Sequence, residues 1–206
     1  VGHLKRKVIR QLLDEMRWPD NYIDNIRKYK KGNLDEPDIW LLHGIRVLLE
    51  MSELIEVEKE KSEIRFNQDR EYLLDQENAG ELYRHLFSAY FKDMNLGYLG
   101  STFELPHLQY SVPFILYKMH DAAKDWVPIK ELVHDILLYT VNIELNFAEA
   151  DGYTIELDLL YEDLFATLER FALLETRSTS SASSDPLEDY PDQVRITDLY
   201  KEFIQV

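Results

Sequence analysis

The fold of this chain is decided by the stretch Leu48-Leu49-Glu50-Met51-Ser52-Glu53-Leu54-Ile55-Glu56-Val57, because a second version of it lies near the C-terminus. That version reads Thr167-Leu168-Glu169-Arg170-Phe171-Ala172-Leu173-Leu174-Glu175-Thr176. Each version begins as a helix with apolar periodicity and leaves it through Leu-Ile-Glu or Leu-Leu-Glu. An alternating strand follows each, Ile64-Arg65-Phe66-Asn67 after the first and Val194-Arg195-Ile196-Thr197 after the second. The sequence therefore predicts one structural unit that is used twice.

The two versions align residue by residue. Leu54 falls on Leu173 at an offset of 119, and Ile64 falls on Val194 at an offset of 130. The difference of 11 residues is an insertion between the two strands of the second version, where the serine-rich run Ser178–Pro186 lies. Such a run buries too little apolar surface to offset its ordering entropy, so we expect a mobile tip on the second ribbon.

Three helices are predicted before the first ribbon, over residues 3–17, 22–29 and 39–52. Three helices followed by a two-stranded wing is the order of a winged helix. We therefore predict a mainly α protein with two winged-helix-like units that carry small β-hairpin wings and are joined by a central helical hairpin. The predicted domains are residues 1–76, an aromatic bridge over 77–125, and a second unit over 126–206.

Four further helices are predicted after the first ribbon. The first covers Ala79–Leu96, and the second covers Phe114–Ala122 with Pro113 in its first turn. Whether residues 108–112 form a separate turn or belong to that second helix stays open. Trp126-Val127-Pro128 is expected to open a helix that ends at Tyr139, and residues 157–174 are expected to be the long helix of the second unit. Residues 141–156 form a connector of uncertain structure.

Composition excludes several classes of protein. The chain has 206 residues, 45% of them hydrophobic, and no cysteine, which removes disulfides, thiol nucleophiles and cysteine-ligated metals. No apolar run approaches the roughly 20 residues that span a bilayer, so a soluble cytoplasmic protein without membrane contact is expected. The chain begins with Val1 rather than Met, which is expected of a piece cut from a longer protein.

The net charge of −16 is unevenly distributed. Residues 1–50 hold ten lysines and arginines against eight acids, a balance of +2, and the remainder carries −18. A negative field repels the phosphate backbone, so only the first segment is suited to nucleic acid. The candidate contacts there are the basic turn at the end of the second helix and two residues of the third: Arg27, Lys28, Lys30, Lys31, His43 and Arg46. The alternative is that the basic turn is a solvated helix end whose cations favour the macrodipole.

Residues for catalysis or for a cofactor are not evident. The six histidines lack metal-ligand spacing, and neither a nucleophile elbow nor a glycine-rich phosphate loop is present. We expect no catalytic residues, no cofactor and no metal. Aromatic residues between Tyr83 and Tyr117 line either a ligand pocket or, more simply, the core.

Three segments carry a family resemblance: residues 80–91, residues 108–117, and the Leu168–Glu175 exit with Arg195-Ile196-Thr197. Together they resemble an uncharacterised bacterial family, in which this module is sometimes attached to a domain like a plasmid open-reading-frame-three product. The resemblance implies paired winged-helix-like units joined by helices and brings no catalytic residues. The glycine expected just before the exit is Glu53 in the first version and Ala172 in the second.

These observations favour a non-enzymatic regulatory or assembly module that binds another protein. The alternative is a DNA-binding, transcription-type regulator that acts through residues 1–60. A further alternative is a small-ligand sensor in the aromatic bridge. Neither the natural partner nor the oligomeric state follows from the sequence.

Overall fold

The computed structural model describes residues 3–18, 22–30, 34–58, 63–98, 106–138, 141, 160–179 and 191–205. These residues are mainly helical, with two small antiparallel sheets, and the prediction of a mainly α protein is confirmed. The chain divides into two compact units, Val1–Asp93 (unit 1) and Met94–Val206 (unit 2). The three-part division at residues 76 and 125 stays a prediction.

Unit 1 consists of a helical layer followed by a two-stranded ribbon and a further helix. Its elements are α1 (Arg6–Glu15), α2 (Tyr22–Lys30), α3 (Trp40–Met51), β1 (Ile55–Glu58), β2 (Glu63–Phe66) and α4 (Ala79–Ser88). Short 3₁₀ turns cover Glu36–Asp38, Gln68–Leu74 and Gln76–Asn78, and a π-helical turn covers Ala89–Asp93.

The helical layer of unit 1 has its own apolar core. Ile9 and Leu13 of α1, Leu34, Ile39 and Leu42 are buried together. The spacing of the two α1 residues places them on one face, which is why this otherwise charged helix packs in one orientation. The core thus holds the start of α3 through Leu42 and the N-cap residue Ile39. The ribbon residues do not belong to this core.

Unit 2 places a three-stranded sheet among helices. Its elements are α5 (Pro106–Ala122), β3 (Val127–Pro128), α6 (Ile129–Ile136), α7 (Ala166–Arg170), β4 (Leu174–Arg177), β5 (Gln193–Ile196) and α8 (Asp198–Phe203). A 3₁₀ turn covers Leu96–Tyr98, and a π-helical turn over Tyr161–Phe165 leads into α7. The strand order is β3-β5-β4, and both pairings are antiparallel.

Two predictions about proline in unit 2 are wrong. Pro113 lies inside α5 rather than in the first turn of a helix, since α5 is one continuous helix from Pro106. An interior proline costs about 3 kcal/mol, and the burial of Leu108, Val112 and Ile115 on the same helix offsets that cost. Val127–Pro128 is a strand, and the helix begins only at Ile129 because Pro128 has extended backbone (φ −61°, ψ 130°).

The predicted long helices are also shorter than expected. The α-helical part of the predicted span Ala79–Leu96 ends at Ser88 before the π-helical turn. In the predicted span 157–174, residue 160 is helical and the helix ends at Arg170; Leu174 already belongs to β4. Residues 142–156 and most of the predicted mobile tip, residues 180–186, lie outside the described residues.

The repeated helix exit is present in both units with the same geometry. Glu53 (φ 57°) and Ala172 (φ 55°) are the two non-glycine residues with left-handed backbone in the described chain, and they are equivalent in the predicted alignment. The Leu54 N–H donates to the Leu49 carbonyl (3.0 Å). The Leu173 N–H donates in the same way to the Leu168 carbonyl (2.9 Å). Both exits are therefore Schellman caps, in which a left-handed residue satisfies the last helical carbonyls.

Each exit then pairs with its second strand in the same register. Ile55 faces Phe66 in unit 1, as Leu174 faces Ile196 in unit 2. The residue after the second strand also acts alike in the two units. Asn67 donates its main-chain N–H to the Leu54 carbonyl (2.9 Å), and its side chain caps the next turn. Thr197 repeats both contacts at Leu173 (3.1 Å) and at the start of α8. The prediction of a repeated helix-to-ribbon segment is confirmed at this level.

Candidate functional site

On α3, the predicted nucleic-acid contacts His43 and Arg46 both contact the buried carboxylate of Glu36. Arg46 and Glu36 are both buried, and Arg46 Nε donates to Glu36 Oε1. His43 Nδ1 lies 2.8 Å from the same oxygen, and the Leu4 N–H donates to Glu36 Oε2 (2.6 Å). Arg46 Nη1 also donates to Glu50 (2.8 Å). As placed, Arg46 is held inside unit 1 rather than presented to a ligand.

The Glu36 carboxylate is charged in the folded protein. Its burial alone would raise the pKa, but the hydrogen bonds from Leu4, Arg46 and His43 together hold the pKa below its ordinary value. Glu36 occupies the first position of the 3₁₀ turn that precedes α3, next to Pro37. The turn thus brings a carboxylate under α3, where it ties the N-terminal segment to that helix.

A second reading of this cluster is a metal site. His3, Glu36 and His43 place one possible ligand atom each within 4.8 Å of one another. The sequence spacing did not reveal this group, because the chain brings His3 to the turn before α3 from 33 positions away. The Arg46 guanidinium already neutralises the carboxylate, and a divalent cation would sit beside that positive charge. We therefore treat the cluster as an ion-pair network.

The other predicted nucleic-acid contacts lie at the end of α2. Arg27 and Lys28 are exposed, and Arg27 Nη2 lies 3.8 Å from the Asp14 carboxylate of α1. Lys30 closes α2, but its side chain lies outside the described residues, as does Lys31 altogether. Of the four candidates whose side chains the structure describes, His43 and Arg46 contact Glu36 and only Arg27 and Lys28 are exposed.

Helix α3 exposes three large hydrophobic side chains, Trp40, Ile45 and Met51. Trp40 and Met51 are 11 residues apart, close to three full turns, so they share one side of the helix. Ile45, five residues after Trp40, lies about 140° around the helix from it. We call these three exposed residues together the α3 face. A helix that reads base edges needs hydrogen-bond donors at such positions, and the α3 face has one, the Trp40 indole.

The ribbon of unit 1 also exposes apolar side chains. Ile55, Val57, Ile64 and Phe66 lie on one side of β1 and β2, as the register shows. We call these four residues the ribbon face. Ile64 and Phe66 are each 37% exposed. Isolated exposed hydrophobic residues are ordinary, but four on one side of two paired strands form a patch, and patches of this kind mark interaction sites.

The equivalent side of the unit 2 ribbon is closed. Val194 and Ile196, which correspond to Ile64 and Phe66, are 0% and 3% exposed. Strand β3 pairs with the outer edge of β5, with Val127 opposite Val194. The two ribbons thus have the same register and the same helix exit but differ in the exposure of this face.

The aromatic residues of the predicted bridge do not share one environment. Tyr90 and Phe91 are buried, with ring centroids 5.2 Å apart. Tyr110, Phe114 and Tyr117 of α5 are exposed, Tyr110 by 84%. Two cavities of unit 1, of about 340 and 250 Å³, are lined by other residues. The sensor hypothesis gains no support from these rings.

Comparison with known proteins adds no assignment. No family model, curated protein or solved structure matches the chain. The family resemblance therefore stays a prediction. Among the described residues, no helix has the length and apolar character needed to cross a membrane.

Proposed function

We propose that the protein is a non-enzymatic interaction module that binds another protein through unit 1. The proposal rests on which side chains α3 binds internally and which it exposes. Arg46 and His43, which a DNA-reading helix would present, are bound to Glu36, while the α3 face presents Trp40, Ile45 and Met51. Exposed aromatic and apolar residues suit a protein partner, because their burial on binding removes apolar area from water.

We also propose that unit 2 has a winged-helix arrangement. The chain order α5, β3, α6, α7, β4, β5 and the sheet order β3-β5-β4 support this assignment. Its helix α7 carries Glu169 beside Arg170. Unit 2 holds seven lysines and arginines against twenty acids, a balance of −13, so a nucleic-acid role for this unit is disfavoured.

Site-specific photo-crosslinking tests the proposal. A photoreactive phenylalanine analogue at Ile45 is introduced into the chain in the cells that naturally make it, and the same analogue at the exposed Gln11 of α1 is the control. We expect a discrete protein adduct from position 45 that is absent from position 11. Equal patterns from both positions would contradict the proposal, as would an adduct that nuclease digests.

The DNA-binding alternative keeps one supporting observation. Lys5, Lys7 and Arg10 are exposed on or beside α1, in addition to Arg27 and Lys28. An electrophoretic shift that disappears on Arg27→Ala and Lys30→Ala substitution would support this alternative. We expect no such shift at low salt, since unit 1 still carries a balance of −3, with 16 bases and 19 acids.

A further inference from the structure

We propose that the outer edge of β2 in unit 1 binds an extended segment of a partner protein, which adds a third strand to the ribbon. The segment carries a basic residue followed by a branched apolar residue. This inference rests on the proposed function and names the kind of partner. Strand addition to an open sheet edge is a general mode of peptide recognition, in which main-chain hydrogen bonds give affinity and side-chain pockets give specificity.

Unit 2 supplies the template for this third strand. The outward N–H of Ile196 donates to the Ala123 carbonyl (2.8 Å). At the other end, the Ile129 N–H donates to the Asp192 carbonyl (2.9 Å). Between these bonds Val127 lies opposite Val194 and covers the edge of the sheet. One short extended segment of this chain thus closes the ribbon edge.

In unit 1 no described residue pairs with the same edge. The Asn67 N–H points inward to Leu54 (2.9 Å), so the N–H groups of Ile64 and Phe66 point outward by the alternation of an antiparallel strand. The described sheet has two strands, and β2 is at its edge. An exposed edge of this kind invites pairing with another chain.

The residue of unit 1 that corresponds to Trp126 does not lie at this edge. Trp18 follows α1 as Trp126 follows α5. The Trp18 indole Nε1 donates to the Leu13 carbonyl (3.2 Å), and its ring stacks on Tyr22 with centroids 6.0 Å apart. Trp18 therefore packs in the helical layer of unit 1, whereas Trp126 in unit 2 packs beside the ribbon.

Charged side chains of the ribbon indicate which kind of residue should come just before the third strand in the partner segment. In unit 2 the Trp126 ring lies 4.2 Å from the Arg177 guanidinium and 4.7 Å from that of Arg195. The equivalents in unit 1 are Glu58 and Arg65. Where unit 2 has an arginine that favours an aromatic ring, unit 1 has a carboxylate that favours a cation.

Two further residues strengthen this preference. Gln193 of unit 2 is replaced by Glu63, and Glu56 lies on the same side of the ribbon. Arg65 contacts both Glu63 (3.0 Å) and Glu58 (3.2 Å). Three acids and one base leave this side with a balance of −2, which a lysine or arginine of the partner would complement.

A second copy of this chain fits the edge less well. Each copy carries a net charge of −16, so two copies repel each other. A basic partner segment is instead attracted to the same surface. Sedimentation of the full chain separates the two cases, because dimerisation lost on Ile64→Pro would identify a second copy as the occupant and overturn the proposal.

The direct test uses a synthetic peptide that copies residues 123–129 with arginine in place of Trp126. Its binding to the full chain is followed by two-dimensional NMR. We expect saturable shifts at the Ile64 and Phe66 amides, and binding about threefold tighter than that of the peptide with the original tryptophan, as an exposed charge pair would provide. A third peptide with aspartate in place of Val127 should not bind.

A variant of the protein tests whether the charges of the ribbon determine which peptide binds more tightly. The double variant Glu58→Arg, Glu63→Gln copies the charges of unit 2, and both positions are on a surface ribbon. The variant should reverse the preference, so that the tryptophan peptide binds more tightly than the arginine peptide. Unchanged preference, or shifts that do not include Ile64 and Phe66, would overturn the inference.

The two proposals fail in different ways. A specific adduct from position 45 together with no peptide binding at β2 would remove the third-strand inference and leave the interaction module standing. Peptide binding at β2 with no specific adduct from position 45 would instead show that the α3 face is not the contact surface.

Discussion

At the scale of single residues, the left-handed positions Glu53 and Ala172 are the sharpest sign of the repeat. A non-glycine residue costs about 1–2 kcal/mol in this backbone conformation. The cost is tolerated because each position ends a helix and aims the chain into a strand. The alignment of the two exits was predictable from the sequence, although neither position carries the expected glycine.

Glycine should therefore stabilise the second exit. We expect Ala172→Gly to raise the free energy of unfolding by about 0.5–1 kcal/mol, because relief of the left-handed cost exceeds the extra entropy of the unfolded glycine. The matched control is Ala166→Gly inside α7, which should lower it by about 1 kcal/mol. Urea unfolding measures both. A loss of stability at both positions would contradict the assigned backbone at Ala172.

The Glu36 network predicts a pH dependence. Because the pKa of Glu36 is lowered in the folded protein, its contribution is present above the pKa of the unfolded glutamate, about 4.3, and is lost as pH falls through the folded value. At pH 7, Glu36→Gln should cost about 3 kcal/mol, since Arg46 keeps a buried charge without its partner. In urea unfolding between pH 7 and pH 3, the free energies of unfolding of the wild type and the variant should converge as the pH falls. The control Glu77→Gln, at an exposed site, should not change the free energy of unfolding. A cost of Glu36→Gln that does not depend on pH would contradict the network.

The sequence did not reveal this network for a specific reason. Asp35, Glu36 and Asp38 beside Pro37 look like acids in the first turn of a helix, which the macrodipole alone explains. Burial of Glu36 depends on the tertiary position of Leu4 and on Arg46, ten residues further on. Residue spacing could predict the helix start but not the direction in which the carboxylate points.

At the scale of elements, α8 is held in unit 2 by Tyr200. Its buried hydroxyl donates to the Leu116 carbonyl of α5, and burial raises the pKa of Tyr200. We expect Tyr200→Phe to lower the free energy of unfolding by about 1–2 kcal/mol because it leaves a buried carbonyl short of a donor. Tyr110→Phe, at a position 84% exposed, is the control and should change nothing measurable by thermal denaturation. Equal effects would contradict the docking of α8.

Strand β3 shows where element prediction from sequence stops. Two residues, Val127 and Pro128, are too few for an alternation to be read, and proline before Ile129 resembles the first turn of a helix. The pairing that makes them a strand comes from β5, more than 60 positions away in the chain. The ribbons β1-β2 and β4-β5 were predictable because each strand is long enough to alternate and both versions alternate alike.

At the scale of the whole molecule, the chain contains two versions of one segment, and only the second has a third strand among the described residues. Unit 2 closes its ribbon with β3, and unit 1 leaves β2 at an edge with apolar side chains beside it. The alternation in β2 and β5 is the same, so sequence alone could not show which ribbon is covered. That difference depends on tertiary pairing, which in unit 2 brings Val127 to β5 from 67 positions away.

Amide hydrogen exchange of the full chain, read by NMR, tests this difference most directly. We expect slow exchange at the Asn67 and Thr197 amides, which both bond inward, and at the Ile196 amide, which bonds to Ala123. We expect fast exchange at the Phe66 amide, the equivalent of Ile196, because its N–H faces the open edge. Exchange at Phe66 as slow as at Ile196 would show that the edge is already covered and would contradict an open β2 edge.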